Sequence, residues 1–459
     1  MRVSGLVFAD DALWRDIEKD ECLKQVANVA QLPGIVGRSM AMPDIHWGYG
    51  FPIGGVAAFD IDEGVISPGG VGYDINCGCR LMATTLNAGE INPMMKEIID
   101  GLYNDIPTGV GKAGPIRLKK QELKQVLTKG AAWAVSQGYG DAADLDHTES
   151  RGAMAGADPE VISDRALERG APQLGTLGSG NHFLEIDVVD EVFDSETARA
   201  FGLFQGQIVM SVHSGSRGLG HQVCDDYLKV MAKAASQERI ALPDRQLVCA
   251  SVQSEPGRRY FGAMAAAANY AWANRQIIMH FARESLLRTL GARPRDLGMP
   301  LVYDVAHNIA KMETHTVDGK SRKVCVHRKG ATRAFPAGHP ELPESYAKTG
   351  QPVLIPGDMG RASYVLAGEP GAMDESFGSC CHGAGRVLSR TQAKNKAKGR
   401  ALHRELEDKG IVVRAAGRTT LAEEMPEAYK DVSQVVDVVH QAGLARKVVR
   451  LRPLGVIKG

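Results

Sequence analysis

The feature that most constrains the fold of this chain is the placement of its 52 glycines, which gather in short motifs beside strand-like runs. Examples are Gly69-Gly70, residues 175–180, residues 215–220 and Gly383 to Gly385. There is no internal repeat and no low-complexity linker in which the glycines could be spread. Glycine permits tight turns and the close approach of a ligand to the backbone. The pattern therefore predicts turns that shape a site.

The chain has no global charge surplus, because 54 basic residues match 54 acidic residues. A nucleic-acid partner would therefore need local basic patches. Hydrophobic residues make up 44% of the sequence, enough for a large core, and no run of about 18 apolar residues suggests a membrane span. Residues 1–6 are soon followed by Asp10 and Asp11, so no secretory signal is visible. With eight cysteines, we expect a cytoplasmic protein with free thiols.

Three segments have the periodicity of helices, namely residues 11–32, 119–137 and the Ala-rich segment 258–290. Strand-like runs cover 207–213 and 301–306, and a further run after His182 alternates between two faces. The acidic, Gly-rich segment 141–170 is expected to be a surface excursion. This pattern places histidines at 182, 213 and 307 in or just after strands.

These three histidines are candidates for metal ligands, although one such histidine is usually a satisfied core residue. A Gly-rich loop adds Asp74 and Cys77, and a carboxylate with a thiolate can hold a borderline divalent metal. Cys77 and Cys79 do not form a Cys-x-x-Cys pair, which argues against a zinc knuckle or a thioredoxin motif. The alternative to an Asp/Cys/His₃ set is a loop with two buried cysteines.

The segment from Ser376 to Arg390 places His382 before a Gly-Ala-Gly turn and a basic, helix-compatible stretch. Small residues leave the imidazole uncovered, and the start of a helix would offer N–H groups to a phosphate. Arg386 would reach the same anion. A histidine beside a phosphate cradle can attack phosphorus. The alternative is a histidine that caps a helix.

A basic segment follows this histidine, with seven basic residues and no acid between Glu375 and Glu405. Four of them recur every four residues and predict one basic stripe on a helix: Arg386, Arg390, Lys394 and Lys398. Because the stripe adjoins His382, we favour a path for a polyanion over a solvated helix face. Asp44 lies in a turn-rich loop, either bonding its own backbone or serving proton transfer or RNA contact.

Six long motifs occur together in this chain. They are Gly70 to Gly78, Gln173 to Ile186, His213 to Gln222, Tyr303 to Asn308, Val326 to Phe335, and His382 to Arg386. Together they closely resemble the RtcB family of GTP-dependent RNA ligases, the tRNA-splicing ligases, from Met42 to Lys458. The resemblance implies a family-specific α/β (α+β) fold, with mixed sheets and surrounding helices. It also implies a single domain over residues 1–459 without a Rossmann or P-loop unit.

The resemblance further implies an enzyme that joins a 2′,3′-cyclic phosphate or 3′-phosphate RNA end to a 5′-hydroxyl end, in tRNA splicing or RNA repair. GTP and two Mn²⁺ ions would be its cofactors. His382 matches the histidine that becomes guanylylated, and Asp44 matches an acid needed near the 5′-hydroxyl end. The manganese ligands, with Cys77 shared, match Asp74, Cys77, His182, His213 and His307. This donor set also suits softer metals, so zinc could bind and inhibit.

Other positions follow from the same resemblance. The guanylate pocket maps onto Asn181, His182, Phe183, Leu184, Glu185, His307, Asn308, Pro356, Gly357, Asp358, Met359, Ser363, His382, Gly383, Ala384, Gly385 and Lys458. Arg169, Arg217 and Arg386 match basic residues near the RNA phosphates. Asp358 departs from the family, which more often has a small hydroxyl residue there. Its carboxylate could repel phosphate or accept a bond from the guanine ring, which leaves the nucleotide preference open.

The partners implied are broken or split tRNA and an archease-like activator, and we expect a monomer without membrane attachment. Particular residues distinguish ligation from two alternative functions. A metal-dependent phosphodiesterase or phosphatase acting on RNA ends would use the same metals but has no need of a nucleotide-accepting His382. A non-catalytic RNA-binding protein would need the basic stripe but not Asp74, Cys77 and three histidines together.

Overall fold

The computed structural model describes residues 1–459 and contains seventeen strands and seventeen α-helices. The strands are β1 Ser4–Val7, β2 Ile35–His46, β3 Ile53–Asp60, β4 Val65–Ile66, β5 Gly78–Asn87, β6 Phe183–Val192, β7 Gln207–Ser214, β8 Ala250–Ser251, β9 Leu301–Ala306, β10 Asn308–Val317, β11 Lys320–Lys329, β12 Ala331–Arg333, β13 Pro352–Ile355, β14 Ser363–Gly368, β15 Ser379–Cys381, β16 Val412–Ala415 and β17 Ala445–Lys458.

The helices surround these strands and are mostly short. They are α1 Asp11–Ile17, α2 Cys22–Val29, α3 Ala88–Ile91, α4 Met95–Asp105, α5 Lys120–Lys129, α6 Ala131–Ser136, α7 Ala143–Asp146, α8 Asp164–Gly170, α9 Ser195–Ala200, α10 Arg217–Gln237, α11 Glu255–Leu290, α12 Pro294–Leu297, α13 Pro370–Ser376, α14 Arg390–Lys396, α15 Leu402–Glu407, α16 Arg418–Glu423 and α17 Val432–Gln441. The α/β (α+β) class expected from the sequence is thus confirmed. None of the helices combines the length and the apolar character needed to cross a membrane.

The larger sheet brings distant parts of the chain to one edge. Its strands follow the order β13-β14-β17-β6-β7-β5-β9, and β16 pairs with β17. The register aligns Phe183 with His213, His213 with Cys79, and Cys79 with Val305 across four neighbouring strands. The residues in this aligned row, and those directly after it in each strand, therefore lie together at one end of the sheet, although they are far apart in sequence.

A second sheet, in the order β1-β2-β3-β11-β10, meets the first at this edge. His307 is the single residue between β9 of the first sheet and β10 of the second. The short β12–β15 pair aligns Ala331 with Cys381 and so delivers His382 to the same place. The junction between the sheets is therefore the point at which the predicted site residues can converge.

The Ala-rich helix predicted over 258–290 is confirmed as α11, which begins at Glu255. Ser254 caps its start by accepting from the Gly257 N–H, and Gly291 ends it with a left-handed φ of 61°. The segment from Ala263 to Ala273 is entirely buried. Small side chains along this segment allow neighbouring elements to pack closely on all sides, and the helix forms the centre of one large apolar core.

Several other expectations differ from the structure. The single helix expected over 11–32 is two helices, α1 and α2, and that over 119–137 is broken at Gly130, whose φ is 55°. The segment 141–170 is not a surface excursion throughout. Asp144 and Glu149 are buried, because Arg283 and Lys311, at 2.7 and 2.5 Å, neutralise their carboxylates.

The prediction of one helical basic stripe was wrong. Helix α14 covers only Arg390–Lys396, so Arg386 precedes it and Lys398 follows it. Ser389 caps the helix and accepts from the Gln392 N–H, which fixes the start of α14 at Arg390, nine positions after the end of β15. The free N–H groups of a helix start are consequently not beside His382.

Candidate active site

A cavity of about 730 Å³ lies at the junction of the two sheets. Most residues that the sequence singled out line it: Asp74, Cys77, Asn181, His182, Phe183, Glu185, His213, Arg217, His307, Asn308, Pro356, Gly357, Asp358, Met359, His382, Gly383, Ala384, Gly385, Arg386 and Lys458. These positions come from both sheets and from the loops between them. The cavity is therefore the candidate active site.

Four of the predicted residues do not line the cavity. Asp44 is fully buried beneath His382, and Leu184 belongs to an apolar core cluster. The Ser363 hydroxyl accepts from the Gly357 N–H at 3.1 Å and so fixes the turn after β13. Arg169 donates to the Gln222 side chain at 2.9 Å. Their contributions to the site are therefore indirect in this structure.

Metal-donor atoms cluster along one side of the cavity. Cys77 Sγ is 3.1 Å from His213 Nε2 and 3.5 Å from His182 Nε2. His182 Nε2 is in turn 2.8 Å from a carboxylate oxygen of Asp74. The ligand atoms of Asp74, Cys77 and His182 all lie within 4.8 Å of one another, as do those of Cys79, His213 and His307. We call these six residues the donor cluster.

The donor cluster fits a divalent metal ion. Both ring nitrogens of His307 are buried and have no hydrogen-bond partner, which is costly for a polar group unless a ligand completes the site. Burial holds the pKa of His307 and of His213 well below the usual value, so both imidazoles keep free lone pairs. Carboxylate, thiolate and imidazole donors together suit borderline divalent ions.

Buried polar partners hold these donors in place. The carbonyl of Leu177 lies 3.0 Å from His182 Nδ1 and accepts a hydrogen bond from the Nδ1–H group. Nε2 therefore faces the donor cluster. Arg275 is fully buried and donates to the carbonyls of Asn76 and Ser214, at 2.7 and 2.9 Å. It also pairs with Asp304 on β9 at 2.7 Å. One guanidinium therefore ties together the three segments that carry Cys77, His213 and His307.

His382 is oriented by a buried carboxylate. Its Nδ1–H donates to Asp44 at 2.6 Å, and the same oxygen accepts from the backbone N–H groups of His382 and Gly383, at 3.0 and 3.2 Å. Burial alone would raise the pKa of Asp44, but the charge and hydrogen bonds of His382 outweigh it and hold the pKa below its usual value. In the neutral ring, the hydrogen bond from Nδ1–H to Asp44 leaves the lone pair on Nε2, and the centre of this ring lies 5.5 Å from that of His307.

A second set of charged groups lies around the C-terminal strand. Lys458 Nζ lies 5.4 Å from the centre of the Phe183 ring and 3.9 Å from Glu424. Glu424 also accepts from Arg386 at 3.2 Å. Asp358 is not a free carboxylate, because it accepts from the side chain of Arg361 and from the Gly360 N–H. Part of the cavity wall therefore consists of paired charges.

The model of the family described as tRNA-splicing ligase RtcB matches residues 25–459. The chain belongs to the RtcB family. Among similar proteins, the tRNA-splicing ligase RtcB of Thermococcus kodakarensis is 59% identical over 100% of this chain and 95% of its own length. That of Archaeoglobus fulgidus is 56% identical over the same shares. The RNA-splicing ligase RtcB of Mycobacterium tuberculosis is 55% identical over 95% of this chain and 100% of its own length.

Sequence reasoning missed several residues of this RtcB site. The contact between Asp44 and His382 joins positions 338 residues apart, and no local pattern signals it. Cys79 is buried and belongs to the donor cluster, although its spacing from Cys77 indicates no metal motif. Glu424 lies in a segment without a motif. Arg275 is hidden in the Ala-rich helix, where the single informative signal was a charged residue at the centre of an apolar stretch.

Proposed function

We propose that this protein is an RNA ligase that joins a 2′,3′-cyclic phosphate or 3′-phosphate end to a 5′-hydroxyl end through a guanylylated His382. RtcB-family membership supports this, because the relatives above are named RNA-splicing ligases. The observation that carries the finer proposal is the His382–Asp44 pair beside the donor cluster. A hydrolase of RNA ends would not require a ring nitrogen held ready in this way.

Asp74, Cys77, His182, His213 and His307 would hold two manganese ions, with Cys77 shared between them. When bound, such ions supply charge neutralisation for a triphosphate and activation of a water molecule. The protein prepares this site in advance, because Arg275 and the Leu177 carbonyl fix the donors. Cys79 is close enough to His213 and His307 to serve as a third ligand to an ion that these two histidines hold.

In the first step, His382 Nε2 attacks the α-phosphorus of the substrate GTP. An N–P bond forms while the bond to the bridging oxygen of the β-phosphate breaks, and pyrophosphate leaves. The ring becomes positively charged as it attacks. Asp44 retains the hydrogen bond from Nδ1 and stabilises that charge, without taking the proton.

In the later steps, an RNA 3′-phosphate oxygen attacks the guanylate phosphorus and releases His382. The 5′-hydroxyl oxygen then attacks the 3′-phosphorus, GMP leaves, and the phosphodiester bond is complete. A cyclic end must first be opened by water. Arg217 borders the cavity beside His182, within reach of phosphate oxygens. Lys458 and Glu185 line the same cavity, and we assign them to the binding of the guanine base.

We also propose that the whole chain works as one domain, since the cavity draws its walls from both sheets. Monomeric action in the cytoplasm and the need for an archease-like activator stay predictions from the resemblance.

The experiment that tests the proposed function is intact mass measurement after incubation with GTP and manganese. We expect one added guanylate, lost in acid and stable in alkali, as for a phosphoramidate at nitrogen. His382→Ala should give no adduct. An acid-stable adduct, or one that peptide mapping places on a lysine, would overturn the assignment. Opening of cyclic ends without any adduct would instead favour the phosphodiesterase.

A further inference from the structure

A row of side chains crosses the cavity and begins at His382. The ring centres of successive histidines are 5.5, 5.5 and 5.7 Å apart, in the order His382, His307, His213 and His182. The carboxylate of Asp74 follows at 2.8 Å from His182, and Tyr73 is its neighbour in the chain. The row leads from the proposed nucleophile, along the donor cluster, to an aromatic residue.

Three aromatic rings meet at the far end of this row. The ring of Tyr73 lies 5.8 Å from that of Tyr49, at an angle of 74°, and 6.1 Å from that of His221. All three residues line the cavity. Tyr49 and Tyr73 are half-buried and His221 is exposed, so ring surface remains available to a ligand. We call Tyr49, Tyr73 and His221 the aromatic platform.

Surrounding contacts order the backbone that carries Tyr49 and His221 before any ligand arrives. Lys329 Nζ donates to the Tyr49 carbonyl at 2.6 Å, and the Gln25 side chain bonds both the N–H and the carbonyl of Gly48, at 3.0 and 2.6 Å. These bonds use the backbone around Tyr49 and leave its ring free. His221 belongs to α10, whose regular backbone holds it. Because little ordering remains to be done, stacking on this platform would cost little conformational entropy.

An acidic group on α10 disfavours a phosphate directly at the aromatic platform. Asp225 lies one helical turn after His221 on α10. A phosphate would be repelled by Asp225, whereas the π-face of a nucleobase would not. Arg217 lies one turn before His221, so a phosphate contact and a base contact fall on one face of α10.

We propose that the aromatic platform stacks the nucleobase of the terminal nucleotide at the 5′-hydroxyl end of the RNA. This inference rests on the proposed function. In that reaction GMP leaves the 3′-phosphorus on the side of His382, and the attacking 5′-oxygen must approach from the opposite side. In the row of contacts, the donor cluster separates His382 from Asp74 and Tyr73, and we assign the approach of the 5′-oxygen to the Asp74 end. The 5′-terminal nucleotide is therefore the one whose base reaches the platform.

The test measures RNA binding in a His382→Ala background with manganese present, so that no ligation occurs. One 5′-hydroxyl RNA carries a normal terminal nucleotide and its match carries an abasic one. We expect the normal RNA to bind about tenfold more tightly, the scale of one base–aromatic stack. Tyr73→Ala and His221→Ala should reduce this ratio towards one. Tyr73→Phe, which keeps the ring, should retain it, as should Phe204→Ala, an exposed aromatic outside the cavity.

Three results would overturn the inference. The platform variants could weaken the binding of the normal and the abasic RNA equally, which would mean that the substitutions act on folding or on phosphate binding. The base-dependent difference could appear only when the abasic nucleotide is at the 3′-phosphate end. Phe204→Ala could lower the ratio as much as Tyr73→Ala. Failure of the proposed function is distinguishable, because the protein with His382 intact would then neither form the guanylate adduct nor ligate RNA.

Discussion

Replacing Asp44 by asparagine tests whether the buried carboxylate sets the reactivity of His382. The substitution keeps the shape of the side chain and removes the charge that three N–H groups share, the closest being His382 Nδ1–H at 2.6 Å. An amide can also turn its NH₂ group toward Nδ1. In part of the protein the imidazole proton would then reside on Nε2, and that part could not attack phosphorus. We expect slow guanylylation in a folded protein.

The size of the effect follows from which bond changes during the reaction. The two backbone N–H groups donate to Asp44 equally before and during attack, so their contribution to the rate cancels. The bond from Nδ1 strengthens as the ring becomes positive, and a hydrogen bond to a charged group contributes about 1.5–3 kcal/mol. At about 1.4 kcal/mol per factor of ten, guanylylation should slow about 10- to 150-fold.

The assay is single-turnover labelling with radioactive GTP, together with thermal unfolding followed by circular dichroism. Asp194→Asn is the matched control. The Asp194 carboxylate accepts from the Thr197 N–H and hydroxyl and from Arg446, at the start of α9 and outside the cavity lining. We expect the control to lose stability and to label normally. Labelling of Asp44→Asn at the unsubstituted rate would refute the positioning argument.

Other outcomes follow from the same structure. Cys77→Ala or His307→Ala should abolish guanylylation and lower bound manganese, measured by elemental analysis, with unchanged circular dichroism; normal labelling would contradict the metal assignment. Lys394 and Lys398 reversed to glutamate should keep the adduct but weaken RNA binding, with a salt slope lower by about one unit per lost phosphate contact. Burial would raise the pKa of Glu149, but the charges of Lys311 and Arg333 lower it to about 2. Its stabilising contribution is therefore complete above the ordinary carboxyl pKa of about 4.3 and is lost as the pH falls toward about 2. Glu149→Gln should accordingly reduce the free energy of unfolding at neutral pH by about 3–5 kcal/mol in urea denaturation.

Sequence patterns predicted the candidate site where possible metal ligands stand at the ends of strand-like runs. Strand-like runs around His182, His213 and His307 predicted histidines at strand ends, and the register of the larger sheet brings His182 and His213 together. Periodicity reports on one element at a time, so it could suggest the ligands but not their distances. The motif around His382 predicted an accessible ring in the same way, and the structure places that ring in the cavity lining.

Contacts between distant segments could not be predicted from such patterns. Glu149 reads as part of an acidic surface segment, and it is buried because Lys311, 162 residues away, offers its ammonium group. The basic stripe failed for the opposite reason. Its four-residue spacing is helical, but Ser389 and its capping contacts start α14 later than the spacing implies. Helix caps and contacts between distant segments therefore override the structure that local sequence spacing predicts.

The buried Arg275 has a consequence for how the proposed metal ions would bind. Because one side chain joins the Asn76 carbonyl, the Ser214 carbonyl and Asp304, the segments carrying the donors cannot drift apart when the site is empty. An ion would then bind to ligands that are already in position, whereas a zinc finger folds only when its metal binds. Treatment with a chelator should leave the protein's melting profile largely intact, and refilling should be limited by diffusion and dehydration of the ion.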